Sequence, residues 1–444
     1  MHAIQTSGNC VRNTTSDHFA GVAHDEIVDP RQYCELIRQW STFHPEFAHL
    51  PRKFKIAVNS SVEDRAAILV HDIGLQVVKN DAGEIGLRVI AGGGLGRTPI
   101  IGHAIREFLP RAELCNYLDA ILRVYNLHGR RDNKYKARIK ILVKDLTPQE
   151  FARQVEAEWQ HLKGGPALVP DEEFERLEAA FAPPAYATLA DADASFERQK
   201  HDTPAFARWA RQNVFAHKVA GYAAVTLSLK PTGKPPGDAT SAQLDAVADM
   251  ADRYSFGEIR VSHEQNLILA DVKQAELFAL WQEAKKIGFA TPNIGLVSDI
   301  ICCPGGDFCS LANAKSIPVA EAISQRVEDL DYQFDLGPID LNISGCINAC
   351  GHHHIGHIGI LGVDKAGAEF YQVTLGGSQG WNAALGKVIG PSFGQEEMPD
   401  VIEKILGVYV DARNDEETFL DTVRRIGLEP FKTRVYAGSE LKAA

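Results

Sequence analysis

Apolar positions along the chain fall into two rhythms. Short, nearly continuous runs at 56–58, 68–75 and 87–90 read as buried strands, while 32–40 and 114–125 repeat with a period near 3.6 and read as amphipathic helices, the second stopped by Gly129. Residues 145–215 carry a Glu- and Ala-rich helical pattern broken by Ala182-Pro-Pro184 and by Asp/Ala spacers, which predicts a helical linker. Strands resume at 223–229 and at 258–263, with 265–270 as continuation of the latter, then at 358–361 and 370–375. Helices are predicted at 241–254, 274–287, 400–412 and 416–426. The strand-helix-strand-helix order from 222 to 287 matches a ferredoxin-like unit.

The pattern is written twice. Lys55-Ile-Ala-Val-Asn-Ser resembles Asp340-Leu-Asn-Ile-Ser-Gly, and His71-Asp-Ile-Gly-Leu75 resembles Gly356-His-Ile-Gly-Ile-Leu361. The glycine loop Ala91–Gly96 matches Leu375–Gly380, and Leu118–Tyr125 matches Ile402–Tyr409. On the same alignment Cys10, with Val11 and Arg12, falls where Cys303-Pro304 falls. This predicts a fused duplication with a pseudo-twofold axis and a ligand where the halves meet.

The halves differ in chemistry. The second contains Cys303-Pro-Gly-Gly-Asp-Phe-Cys309 and Ser344-Gly-Cys346-Ile-Asn-Ala-Cys350-Gly, two thiol pairs embedded in glycine. Small neighbours let backbone approach an inorganic cluster, and a C-x5-C spacing suits zinc poorly. A zinc site and a pure electron-transfer iron–sulfur module stay open as rivals. Cys303 reads as the ligand over Cys302 because Pro304 and the x5 spacing follow it; Cys34 and Cys115 read as buried thiols. The first half supplies cations. Lys53 and Lys55 are two apart on a strand-like run and share a face, where an anion would relieve their repulsion. Residues 130–140 hold six positive charges against one negative, a pattern that also suits a solvated helix face. His352–His357 reads as histidines beside a cofactor or, alternatively, as metal ligands.

Length and composition narrow the classes. The chain has 444 residues, 45% hydrophobic and 23% charged, with net charge −12; it is long enough for two to four domains and carries no global basic field for nucleic acid. No 18-residue apolar run predicts a membrane helix, and Met1–Gly8 lacks a signal-peptide pattern. A cytoplasmic setting follows, in which the eight cysteines stay reduced.

The two cysteine pairs, the phrase Asn342-Ile-Ser-Gly-Cys-Ile-Asn-Ala-Cys-Gly351 and Leu50-Pro-Arg-Lys-Phe-Lys55 resemble the sirohaem- and [4Fe–4S]-dependent nitrite/sulfite reductases, over nearly the whole chain; His352–His357 is similar to a haemoprotein β-component variant. The resemblance implies an α+β, pseudo-twofold duplicated sirohaem-reductase fold with ferredoxin-like α/β units and mixed sheets. Its implied divisions are 1–50, a remnant of a first ferredoxin-like unit; 51–150, the first, cationic repeat; 151–215, the linker; 216–292, a second ferredoxin-like unit; and 293–444, the cluster-bearing repeat. Cys303, Cys309, Cys346 and Cys350 would hold the cluster, and Cys350 would also bridge to the sirohaem iron. Asn348, Gly345, Lys134 and Arg138 would contact the cofactors. Lys53 and Lys55 would donate protons, and Arg12 would clamp the anion. A further family arginine has no counterpart here, which implies a chain shorter at its N-terminus by roughly one ferredoxin-like unit. The implied activity is six-electron reduction of sulfite, alternatively of nitrite, or else an inactive remnant. With no Gly-x-Gly-x-x-Gly or flavin signature, electrons would come from a flavoprotein or ferredoxin.

Overall fold

Strand Thr15–Ser16 (β1) lies parallel to Ile56–Asn59 (β2), and β2 parallel to Ile73–Lys79 (β3); Ile85–Ala91 (β4) and His103–Pro110 (β5) follow antiparallel. This five-stranded sheet, in the order β1-β2-β3-β4-β5, belongs to the first of two units, Met1–Ala187 and Thr188–Ala444. The computed structural model describes residues 7–437; residues 1–6 and 438–444, which include most of the stretch read for a signal peptide and the ends of the segments expected at 1–50 and 293–444, lie outside the described residues. Arg31–Ser41 (α1), Leu114–His128 (α2), Ile139–Leu146 (α3), Pro148–Gln160 (α4) and Asp171–Ala180 (α5) complete the unit.

One core joins all of these elements except the two-residue edge strand β1, which is held by its pairing with β2. Tyr33, Leu36 and Ile37 of α1 pack with Ile56, Val58, Leu75, Leu118 and Ile121, and so do Phe151, Val155 and Trp159 of α4 and Phe174 and Leu177 of α5. The expected boundaries at 50 and 150 therefore do not appear in the packing: α1 and the edge strand β1 are integral to the first repeat. The expected linker 151–215 is split, with α4 and α5 packed in the first unit and Ala194–Asp202 (α6) and Pro204–Asn213 (α7) in the second, where Phe206 and Trp209 enter another core.

The run at 68–75 is also divided. Asp64 accepts hydrogen bonds from Ala66 N and Ile68 N (3.1 and 3.0 Å), Ala67 is left-handed at φ 50°, and residues 68–70 form one 3-10 turn before β3 starts. A carboxylate capping the first free N–H groups favours a helical turn over a strand. Strand β5 escaped the apolar pattern because half of its residues are exposed and only Leu109 is buried.

The second unit continues with Val214–Ala216 (β6), Tyr222–Leu227 (β7), Ser241–Tyr254 (α8), Arg260–Val261 (β8), Leu267–Lys273 (β9) and Leu277–Lys286 (α9). Its four-stranded sheet has the order β6-β7-β9-β8 with antiparallel neighbours, and α8 starts at a Thr240/Gln243 capping box. Residues 258–270 form a hairpin rather than one continued strand, since Ser262 N bonds Asn266 O at 2.9 Å.

After it come Ile301–Cys302 (β10), Gly305–Phe308 (α10), Ile317–Arg326 (α11), Leu330–Leu336 (α12), Leu341–Ser344 (β11), Ile358–Lys365 (β12), Ala368–Leu375 (β13), Lys387–Val388 (β14), Met398–Ala412 (α13), Phe419–Ile426 (α14) and Glu429–Val435 (α15). The sheet β10-β11-β12-β13-β14 repeats the first: two parallel pairings, then two antiparallel ones. Ile56 faces Ile73 as Leu341 faces Ile358, so the duplication holds at the level of register.

Candidate functional site

Strand β10 delivers Cys303 with its N–H bonded to Ile343 O (3.1 Å). The chain then turns at Gly305, left-handed at φ 56°, into the single turn α10, and Cys309 N returns to Gly305 O at 2.9 Å. Strand β11 delivers Gly345 and Cys346 alongside. Gly345 N donates to Cys303 Sγ at 3.1 Å, and Gly345 O accepts from Asn313 N and Ala314 N at 2.8 and 3.0 Å. A Cβ on Gly345 would come within 2.6 Å of Ala314 O and 2.8 Å of Gly305 Cα. The two cysteine loops thus interlock backbone to backbone, which is what the glycines are for. Cys350 sits between two left-handed residues, Ala349 (φ 56°) and His352 (φ 57°), and Gly351 N donates to Ser344 Oγ at 3.1 Å. Cys350 is exposed, Cys346 buried, and Cys303 and Cys309 lie between.

Cys302 contrasts with its neighbour. It is buried in β10, its thiol contacts Cys303 O at 3.2 Å, and burial pushes its pKa up. Cys303, by contrast, is only partly buried and receives the Gly345 N–H on its sulfur.

Four sulfur donors on small-residue loops suit iron–sulfur chemistry. Among the described residues, no group of three or more His, Cys, Asp or Glu side chains is arranged to hold a single metal ion.

The first repeat shows what stands in the cluster's place. Registers Thr15–Ala57 and Ile301–Asn342 make Asp17, not Cys10, the counterpart of Cys303. Loops of equal length then pair Ser61 with Cys346 and Arg65 with Cys350. Ser61 Oγ donates to Asp17 Oδ2 at 3.2 Å, and Arg65 Nε donates to the same oxygen at 2.7 Å. Arg65 also bonds Asp25 at 2.8 Å; burial would raise the Asp25 carboxyl, but the Arg65 bond holds it below its ordinary value. A buried ion-pair network occupies the position that thiols occupy in the second repeat.

The cationic residues of the first unit come together. Val11 bridges Phe54, Arg12 N donates to Phe54 O at 2.8 Å, and the Arg12 guanidinium donates to Gly8 O. Lys53 is half-buried. Burial lowers its amine below the ordinary lysine value, and Lys55, Arg138, Arg12 and Arg52 lower it further. Arg138 is held by Asp72 through two bonds of 2.9 and 2.5 Å, and the same carboxylate accepts from Lys55 N at 2.8 Å. Arg138, expected at a cofactor, also takes part in an internal pair whose carboxylate holds the Lys55 backbone. Lys134 is exposed, its amine 5.2 Å from the Tyr135 ring centroid, and Asn348 is exposed.

Sequence reasoning missed Asp72, which lies inside an apolar run, and Lys140. Lys140 is buried, donates to Gly94 O and Leu95 O (3.2 and 2.6 Å), and is lowered to about 8 by burial and Arg138. The glycine loop 92–96 therefore packs on the chain's own groups. Among the histidines, His357 Nδ1 accepts from Asp340 N at 3.1 Å, as Asp72 does from Lys55 N in the other repeat. His353 is buried with both ring nitrogens unpartnered, and burial, then His354 and His352, push it down to about 3.

Two like sheets, four thiols on one of them and a ferredoxin-like module define an iron–sulfur protein of duplicated α+β architecture. The sequence model described as "Nitrite and sulphite reductase 4Fe-4S domain" matches residues 7–163 and 295–442, and that of the "Nitrite/Sulfite reductase ferredoxin-like half domain" matches 218–287. The chain belongs to the nitrite and sulphite reductase family, whose centre combines a [4Fe–4S] cluster with a sirohaem. It is 26% identical to "Sulfite reductase [ferredoxin] 1" of Mycolicibacterium paratuberculosis, over 97% of this chain and 72% of that one. It is 27% identical to "Ferredoxin--nitrite reductase" of Synechococcus elongatus, over 91% and 73%. The structure of the Mycobacterium tuberculosis NirA protein matches with a TM-score of 0.75 at 26% identity, covering 96% of this chain and 72% of that one. Among the described residues no helix is long and apolar enough to cross a membrane.

Proposed function

We propose that the protein reduces sulfite to sulfide, taking its electrons from a ferredoxin. The observation that carries this is the Gly345 N–H bond to Cys303 Sγ within interlocked glycine loops: it ties the two cysteine loops into one sulfur-lined cradle. Cys303, Cys309, Cys346 and Cys350 would hold the cluster, with Cys350, the exposed thiol, shared with the sirohaem iron. When bound, that centre supplies single electrons to a ligated oxyanion, which no side chain can do.

The chain's own residues supply charge and protons. Arg12, always charged, orients the anion. Lys53 and Lys55 bind it and pass protons; the lowered Lys53 amine gives up a proton more readily than an ordinary lysine and regains charge beside an anion. The Asp72–Arg138 pair holds Lys55 by its backbone. A ferredoxin as donor agrees with the names of the relatives and with the lack of a dinucleotide fingerprint. A reducing, cytoplasmic setting agrees with eight cysteines free of disulfides.

Nitrite is the second reading, favoured by the relative named for it. Both are tested by anaerobic reconstitution with iron, sulfide and sirohaem, followed by absorption spectra and turnover of each anion with reduced viologen. Sulfite turnover with the higher kcat/KM supports the proposal, and a preference for nitrite reverses the substrate. Loaded protein that turns over neither overturns the reading in favour of electron transfer or an inactive remnant.

A further inference from the structure

Strand β10, which carries the chain into Cys303, pairs with β11 on one side only. On its other side the backbone of Cys302 meets a side chain. Cys302 N donates to Gln265 Oε1 at 2.8 Å, and Gln265 Nε2 donates to Cys302 O at 2.8 Å. One primary amide thus stands in for a neighbouring strand and satisfies both polar groups of the residue before the first cluster cysteine.

Gln265 is built for this. It sits in the β8–β9 turn at φ 62°, a left-handed conformation unusual outside glycine. The turn is closed by Ser262 N to Asn266 O (2.9 Å) and by Asn266 N to Ser262 Oγ (3.2 Å). Next to it, buried Asn266 accepts from Leu229 N at 3.1 Å and donates to Asp299 Oδ1 at 3.1 Å. Asp299 pairs with buried Lys230 at 2.6 Å and accepts from Gly295 N at 3.0 Å. Gln265 and Asn266 together grip the 295–302 segment at two places, Asp299 and Cys302, just before Cys303. The Gly345 N–H bond to Cys303 Sγ, beside the longer Ser316 Oγ contact at 3.5 Å, depends on where this segment ends.

We propose that Gln265 is a positioning residue for the cluster: its side-chain amide clamps Cys302 and thereby sets Cys303 Sγ against the Gly345 N–H. The inference rests on the reading of the four cysteines as cluster ligands. Loss of the clamp frees the Cys303 loop and weakens the N–H···S bond. Hydrogen bonds to cluster sulfur favour the more negative, reduced state, so the clamp's loss moves the cluster potential to more negative values.

The test uses the full chain with Gln265→Leu and Gln265→Glu; Glu keeps the acceptor for Cys302 N and loses the donor to Cys302 O. In reconstituted protein, EPR-monitored redox titration should give a more negative midpoint for Gln265→Leu, and a chelator should draw iron out roughly tenfold faster, the scale of one or two hydrogen bonds. Gln265→Glu should fall between, and it serves as the readout where the Leu variant does not fold. A wild-type midpoint and wild-type iron release in folded variants overturn the proposal. In cluster-free protein, amide exchange at Cys302 should be slow in wild type and roughly tenfold faster in Gln265→Leu; equal exchange also overturns it. Wild-type protein that takes up no cluster, with exchange as expected, would count against the ligand reading and leave the clamp supported.

Discussion

Neighbouring cysteines 302 and 303 show how little sequence distance means at the residue scale. One thiol is buried with its pKa raised; the other receives a backbone N–H on sulfur. Cys303→Ser should strip most of the iron and acid-labile sulfide from reconstituted protein, while Cys302→Ser should keep them at wild-type stoichiometry. Iron and sulfide analysis decides this, and equal loss in both variants would contradict the assignment. His353 gives a second test. Its folded pKa of about 3 lies below the ordinary 6.5, so the unfolded chain takes up a proton that the folded chain refuses. The stability this group contributes is present above pH 6.5 and falls by about 1.4 kcal/mol per unit from there toward pH 3. Denaturant titrations across that range should therefore be less steep with pH for His353→Leu, which also removes a buried imidazole lacking partners.

Between elements, side chains of one fix the backbone of another. Asp72 reaches across to Lys55 at the start of β2 and is itself held by Arg138 beside α3. Asp72 is fully buried and Arg138 mostly so. Arg138→Leu leaves that carboxylate unpaired and should cost about 3–5 kcal/mol in urea unfolding. In protein that still folds, it should also weaken binding of sulfite at the Lys53/Lys55 face, measured by calorimetry; unchanged stability would show that Asp72 finds another partner. The run 130–140 looked like a solvated helix face; residues 130–138 are instead an irregular, largely exposed connection between α2 and α3, and Arg138 and Lys140 turn inward. Their roles were not legible because Asp72 and Gly94, their partners, lie tens of positions away in sequence, and no local pattern in either segment signals the pairing.

For the whole molecule, duplication is the organising fact. Two sheets share topology and register, yet a buried Asp17–Ser61–Arg65 network stands in one where Cys303, Cys346 and Cys350 stand in the other. The division of the chain at Ala187/Thr188 falls in an extended, exposed stretch containing Ala182-Pro-Pro184. Brief digestion with a protease of broad specificity should nick first between 182 and 192 and leave two fragments matching the units. First cuts inside 151–180 would instead mark α4 and α5 as the loose connector that their composition suggested.

Apolar rhythm, the repeated phrases and the cysteine spacing lie within the chain itself, and they determined most of the longer strands and helices, the duplication and which cysteines to propose as sulfur donors. These are local or periodic properties, readable wherever a short window carries its own physical rule. Tertiary structure decided the rest. It joined residues 7–50 to the first repeat through a shared core, put Asp17 rather than Cys10 opposite Cys303, turned Arg138 inward to Asp72, and brought the Gln265 amide onto Cys302. Each depends on register or on a hydrogen bond between residues tens of positions apart, and register is set only when the sheet closes around its buried face.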